Sequence, residues 1–132
     1  MKLASTRLVA ADVTAMVGFY ELLTGQPAAW LAPVFAEIVT PTATLAIGSA
    51  ETVAQFREGS AEPHANRTAI LEFMVDDVDA EYERLKDEVE VVHEPKLMPW
   101  GNRTAMFRDP EGTAVALFMP FTEEAKKRFG AR

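Results

Sequence analysis

The residue types that most often carry catalysis are sparse in this chain of 132 residues. It contains no cysteine, which excludes thiol nucleophiles, thiolate metal sites and disulfide bridges. Its histidines, His64 and His93, form neither a Glu-x-x-His nor a His-x-x-x-His pair, and no Ser, Thr or Asp is spaced with them to suggest a triad. The glycines form no phosphate-binding loop after a strand. The sequence therefore carries no catalytic signature based on a nucleophile or a histidine.

Three charged residues, Arg7, Glu37 and Glu72, interrupt segments that otherwise resemble strands. Arg7 and Glu72 correspond in an internal repeat, so we expect them to face each other and to form an ion pair. Such a pair either only neutralises two charges at a half-buried junction, or also lets one of them contact a polar group of a ligand. Glu37 could join this network, but the sequence leaves open which side of its strand Glu37 and Phe35 face. A glutamate that acts as a general acid or base would need a raised pKa.

Aromatic and thioether side chains form the second group of candidates. Trp100 lies between Pro99 and Gly101 at the start of a predicted strand, where its indole could stack on a flat aromatic ligand or pack in the core. Thioethers adapt to ligands of irregular shape. Each of the other candidates is, taken alone, more typical of a core than of a pocket, and their significance is collective; they are Trp30, Phe35, Met74, Met106 and Phe118.

Hydrophobic periodicity predicts that the first half of the chain forms a strand, a helix and three further strands. The helix begins after Asp12, a favourable N-cap residue, and ends at Gly25. A polar stretch with one helical turn and a linker follow. The predicted ranges are strands at 3–10, 27–32, 34–40 and 42–48, a helical turn at 51–58 and a linker at 59–67.

The second half repeats this order of elements, with predicted strands at 69–75, 89–94, 102–108 and 113–119 and a helix that ends at about residue 88. An offset of 65 residues places Asp12 on Asp77, and an offset of 70 places Ala46 on Ala116. The sequence Asp109-Pro110-Glu111-Gly112 is typical of a type I turn. We therefore predict two βαβββ modules in one α+β domain spanning 1–132, with module bounds of about 3–58 and 68–121 and a C-terminal helix at 122–130.

Strand alternation divides each predicted strand into two faces. One face is almost purely apolar and suits contact with the helices. The other is mixed and mostly small, as expected for the concave side of a half-open barrel that leaves room for a ligand. That second face carries Ser5, Arg7, Val9, Thr44, Ala46, Gly48, Ile70, Glu72, Met74, Ala114, Ala116 and Phe118.

The composition limits the classes of partner. Apolar residues make up 48% of the chain, which excludes a disordered protein, and the net charge of −7 provides no basic surface for nucleic acid or anionic lipid. No segment has the apolar length of a signal peptide or a membrane span, so we expect a cytoplasmic protein. The partner is then a small molecule or another protein.

Several of these segments, taken in order, resemble the vicinal oxygen chelate superfamily, which includes glyoxalase I, extradiol dioxygenases, fosfomycin-resistance enzymes and bleomycin-resistance proteins. The resemblance covers roughly residues 5–120. It implies a half-open barrel built from the two modules, and a homodimer. The matching segments are Val9–Val13, Phe19–Gly25, Phe73–Val78, Pro99–Gly101 and Asp109–Gly112.

The metal enzymes of that superfamily take one ligand from the first and one from the fourth strand of each module. The matching positions here are Ser5, Ala46, Ile70 and Ala116. Divalent metals in such sites prefer imidazole or carboxylate ligands, which none of these residues provides. The resemblance therefore predicts no metal and no cofactor.

We expect a metal-free binding protein that resembles the bleomycin-resistance group and sequesters an antibiotic or another aromatic metabolite. The predicted ligand-binding residues are Arg7, Phe35, Glu37, Glu72, Met74, Trp100, Met106 and Phe118, and no catalytic residue is assigned. One alternative is a lyase or isomerase that has no metal ligands or has them at other positions. Another is a scaffold or sensor with a vestigial cavity.

Overall fold

The computed structural model of the protein describes residues 1–130. Contacts divide the chain into two compact units, Met1–Arg67 and a second unit that begins at Thr68. Each unit contains one four-stranded mixed sheet together with helices. This confirms the predicted α+β class.

The first unit has four strands and two helices. Its first helix begins where it does because the Asp12 carboxylate accepts a hydrogen bond from the backbone N–H of Ala15 at 3.0 Å. It ends where Gly25 adopts a left-handed conformation with φ of 72°. The elements are β1 (Ser5–Val9), α1 (Val13–Thr24), β2 (Ala29–Ala32), β3 (Phe35–Val39), β4 (Thr44–Gly48) and α2 (Ala50–Arg57).

The sheet of the first unit has the strand order β1-β4-β3-β2, with β1 parallel to β4 and the other neighbours antiparallel. Leu8, Ile47 and Ala36 occupy adjacent register positions on one face, and all three are buried. Helix α1 contacts β3 and β4 and packs on this face. Helix α2 lies against the opposite face, where Thr52 is close to Gly48 and Phe56 is close to Arg7. We call the opposite side, which carries Arg7, Ala46, Glu37, Phe35 and Gly48, the α2 face.

The second unit repeats this plan. Its elements are β5 (Ile70–Met74), α3 (Val78–Leu85), β6 (Glu90–Leu97), β7 (Asn102–Arg108), β8 (Ala114–Pro120) and α4 (Glu123–Gly130). Asp77 caps α3 by accepting from the Ala80 N–H at 3.1 Å, as Asp12 caps α1. The strand order is β5-β8-β7-β6, with β5 parallel to β8.

Helix α3 packs on one face of the second sheet. The Tyr82 ring lies 6.2 Å from the Phe107 ring, and Arg103 donates two hydrogen bonds of 2.8 Å to the Asp79 carboxylate. These hydrogen bonds lower the pKa of Asp79 and raise the pKa of Arg103. We call the other side of this sheet, which carries Glu72, Ala116, Met106, Met74 and Phe118, the α4 face.

The strand registers show the internal repeat directly. In the first unit Ser5 pairs with Thr44 and Arg7 with Ala46; in the second, Ile70 pairs with Ala114 and Glu72 with Ala116. Adding 65 to the residue number on β1 and 70 to the residue number on β4 converts each residue pair of the first unit into the matching pair of the second. The two offsets read from the sequence are therefore confirmed as matching positions in two equivalent sheets.

Two elements differ from the sequence prediction. The stretch predicted to hold one helical turn is the eight-residue helix α2. Strand β6 continues past the predicted end at residue 94 and includes Pro95, with register shifts on both sides of His93. Proline is tolerated there because β6 is an edge strand, where a missing N–H leaves no neighbour unpaired. No helix within residues 1–130 is long and apolar enough to cross a membrane.

Candidate functional site

The α2 face of the first sheet brings together three of the predicted site residues. Arg7 and Glu37 both pair with Ala46, one from each side, so the three side chains form a row across the sheet. Phe35 lies on the same face, opposite Gly48. The facing of β3, which the sequence left open, thus places Phe35 and Glu37 on the side of Arg7.

Arg7 is held by aromatic rings rather than by an acid within its own unit. Its guanidinium carbon lies 4.5 Å from the centroid of the Phe35 ring and 5.0 Å from that of the Phe56 ring, within the range of cation–π contacts. Between residues 1 and 67 the structure gives the guanidinium no hydrogen bond and no ion pair. The ion pair predicted between Arg7 and Glu72 joins residues of different units and stays a prediction.

Gly48 creates the space that this arrangement uses. A Cβ built on Gly48 would lie 2.6 Å from Oγ1 of Thr52 and 3.0 Å from Cδ2 of Phe35. The Thr52 hydroxyl is itself fixed, since it donates to the Ser49 carbonyl at 2.7 Å. The absent side chain therefore lets both the Phe35 ring and helix α2 approach β4.

The α4 face of the second sheet carries the other predicted residues. Glu72 and Met106 both pair with Ala116, and His93 of the edge strand is next to Met106 in the same row. Met74 lies in the adjacent row, opposite Phe118. Met74 is 56% exposed and Ile70 is 52% exposed, so strand β5 presents large apolar side chains on both sides of Glu72.

Phe118 and Trp100 are both in contact with helix α4, in different ways. The Phe118 ring lies 5.0 Å from the ring of Phe129, and Phe118 is buried. Trp100 lies in the turn between β6 and β7, where its carbonyl accepts a hydrogen bond from Arg128 at 3.1 Å. Its side chain remains available, because the residue is 53% exposed.

The positions that would bind a metal in related enzymes have no donor set here. Ser5 and Ala46 share the α2 face, while Ile70 and Ala116 share the α4 face. Apart from the Ser5 hydroxyl, these side chains are hydrocarbon, and they do not fit the imidazole and carboxylate ligands such a metal requires. Among the described residues, no group of three or more His, Asp or Glu could hold a metal ion.

Sequence reasoning missed two aromatic residues of these faces, Phe56 and Phe129. Both lie in short polar helices, and Phe56 is 71% exposed. A signal was nevertheless present. Phe56 follows the buried Val53 by three positions, and Phe129 follows the buried Ala125 by four, which is the spacing of one helix face.

Comparison with solved structures shows the same fold in other proteins. A glyoxalase/bleomycin resistance protein/dioxygenase from Nocardioides is 25% identical, covers 93% of this chain and 85% of its own, and superposes with a TM-score of 0.75. A glyoxalase-related enzyme from Fulvimarina pelagi is 19% identical, covers 90% of this chain and 88% of its own, and has a TM-score of 0.77.

Comparison of sequences identifies the family. The uncharacterized protein YraH of Bacillus subtilis (strain 168) is 30% identical over 125 residues, which are 89% of this chain and 98% of YraH. The family model of the Glyoxalase/Bleomycin resistance protein/Dioxygenase superfamily matches residues 2–117. Together with the two repeated sheets, this match shows that the chain belongs to the Glyoxalase/Bleomycin resistance protein/Dioxygenase superfamily.

Proposed function

We propose that this protein binds a planar aromatic small molecule, an antibiotic or another aromatic metabolite, without a divalent metal, as bleomycin-resistance-like members of the family do. The predicted contact residues are assigned to each unit separately: Arg7, Phe35 and Glu37 on the α2 face of the first, and Glu72, Met74, Met106 and Phe118 on the α4 face of the second, with Trp100 in the β6–β7 turn. Binding requires no chemistry from these side chains beyond stacking, dispersion contacts and hydrogen bonds.

We also expect a cytoplasmic homodimer, for which light scattering would give twice the 14.5 kDa mass of one chain.

The observation that carries this proposal is the make-up of the two faces. The metal-ligand positions of the family hold Ser5, Ala46, Ile70 and Ala116, while the same faces carry charged groups beside exposed aromatic and apolar side chains. Exposed apolar side chains grouped around a few polar groups are typical of binding surfaces.

A lyase or isomerase is the alternative that the sequence left open. Without the family's ligands, such an enzyme would need acid–base work by Glu37 or Glu72, or a metal held at other positions. The described residues contain no alternative cluster of metal-binding side chains. Family membership alone supports this alternative, because the fold hosts several chemistries.

Tryptophan fluorescence tests the proposal, since the chain has two tryptophans in different settings. Trp100 is exposed in the β6–β7 turn, whereas Trp30 pairs with Ala36 and so lies on the α1 side of the first sheet. Titration with a panel of planar antibiotics and polycyclic metabolites should give saturable quenching that is lost in Trp100→Phe and kept in Trp30→Phe. Equal quenching in the wild type and Trp100→Phe would remove Trp100 from the site, and no quenching by any compound would count against binding itself.

A further inference from the structure

The N–H groups of the Arg7 guanidinium have no hydrogen-bond acceptor within the first unit, and aromatic binding alone does not require such open donors. Its contacts within the first unit are with the rings of Phe35 and Phe56, and these rings carry no acceptor for its N–H groups. Arg7 is nevertheless exposed at the surface of the unit. The other arginines of this unit lie outside the sheet: Arg57 ends α2, and Arg67 donates to the neighbouring Asn66 carbonyl.

The geometry of a guanidinium explains why this matters. Its π contacts use the flat faces, while its N–H donors lie in the plane and point outward from the edge. A planar fork of donors matches the two oxygens of a carboxylate or the oxygens of a phosphate, and arginine forms such paired bonds better than lysine. The guanidinium lies over the Phe35 and Phe56 rings and has no hydrogen bond within residues 1–67, so the N–H groups of Arg7 that recognise an oxyanion are unused there.

The backbone fixes where this fork stands. Arg7 lies on β1, in register with Ala46 of β4, and Phe35 is seated against Gly48 of the same β4 strand. A group positioned by a sheet is held more precisely than one on a loop. The absent Gly48 side chain thus serves to place an aromatic ring under a guanidinium whose edge is open.

We propose that Arg7 binds a carboxylate or phosphate group of the ligand in a two-point contact, with the aromatic part of the ligand lying beside the Phe35 and Phe56 rings. This inference rests on the proposed aromatic binding function and narrows it to oxyanion-bearing aromatic ligands. The net charge of −7 repels such an anion at long range, so its recognition depends on this local guanidinium. Glu37, two strands away in the same row, repels a second anionic group and so confines the oxyanion to the Arg7 end.

The test uses four small probes and the full chain. Benzoate and phenyl phosphate carry a ring and an oxyanion, benzamide carries a ring without the charge, and acetate carries the oxyanion without the ring. The readout is the NMR signal of the Arg7 Nε–H group, which Arg7→Lys identifies by its loss, together with the backbone amide signals of β1 and β4. Arg7→Lys keeps the positive charge but not the fork, and Arg67→Lys serves as the control on an exposed arginine.

We expect benzoate or phenyl phosphate to shift the Arg7 signal saturably, and to bind at least about tenfold more weakly to Arg7→Lys, as the loss of a charge-assisted hydrogen bond implies. Arg67→Lys should bind as the wild type does. Whichever of the two probes binds more tightly identifies the oxyanion.

Equal binding of benzamide and benzoate would overturn the inference and leave the aromatic function standing. If acetate shifts the Arg7 signal and benzoate binds no more tightly than acetate, the oxyanion contact stands and the aromatic function is overturned. No shift by any oxyanion would overturn the inference.

Discussion

Gly48 lies directly opposite Phe35 in the antiparallel β3–β4 pair, and a Cβ on Gly48 would come 3.0 Å from Cδ2 of the Phe35 ring. The volume that any other residue would fill is occupied by the ring that supports Arg7. The packing of the ring beneath Arg7 is thus determined by the absence of a side chain on β4, the strand next to that of the arginine.

Gly48→Ala should therefore destabilise the protein. Its methyl group would overlap Thr52 Oγ1 and press on Phe35, and such overpacking costs about 1–3 kcal/mol in the free energy of unfolding, measured by urea denaturation. Gly18→Ala is the control, because nothing lies within 4 Å of its added Cβ in the middle of α1. That control should gain up to about 1 kcal/mol from helix propensity. Equal stability of Gly48→Ala and the wild type would contradict this explanation of the packing.

The sequence predicted the fold well because the signals of the fold are local. Asp12 and Asp77 marked two helix starts, Gly25 marked a helix end, and the offsets of 65 and 70 matched strands that prove equivalent. Strand β6 was predicted too short because Pro95 usually breaks a strand, and only its position at the sheet edge makes it tolerable.

The site was less predictable for a physical reason. The contact of Arg7 with Phe56 depends on α2 folding back over the sheet, and no local pattern in a polar eight-residue helix specifies where it docks. Phe129 reaches Phe118 in the same way, through a helix at the end of the second module. Strand alternation could identify the residues of each face, but not the aromatic residues that short helices add to it.

Helix α4 should depend on a glycine in the turn that holds Trp100. Gly101 has a φ of 94°, and a Cβ there would overlap Thr122 Oγ1 and lie 3.0 Å from Cβ of Ala125. Gly101→Ala should therefore lower the free energy of unfolding by more than Gly25→Ala, where φ is also positive but nothing lies within 4 Å. Hydrogen exchange should show faster opening of α4 in Gly101→Ala alone. Equal losses in the two variants would mean that backbone strain, and not contact with α4, sets the cost.

The hydrogen bonds between Asp79 and Arg103 should give a pH-dependent contribution to stability. Because they lower the pKa of Asp79 in the folded state, their contribution is fully present above the unfolded pKa of about 3.9 and is lost as the pH falls through the folded value. The raised pKa of Arg103 adds no change in this range.

Asp79→Asn should thus be less stable than the wild type near neutral pH by up to about 1 kcal/mol, the upper end for a surface pair, with the difference vanishing in acid. A double-mutant cycle with Arg103→Met isolates the pair from other effects of losing the charge. A difference that persisted unchanged in strong acid would assign the stabilisation to something other than the ionised carboxylate.

Thermal unfolding of chelator-treated protein across a panel of planar aromatic compounds tests the central claim most directly. Elemental analysis first verifies that nickel, zinc, manganese and iron are absent. A ligand at about 100 times its dissociation constant adds roughly 2.7 kcal/mol to the stability of the folded state, which raises the melting temperature by several degrees. We predict such a rise, saturable and undiminished by chelator, with at least one compound. The account would be contradicted if no compound raised the melting temperature, or if the rise disappeared with chelator and returned when a divalent metal was restored.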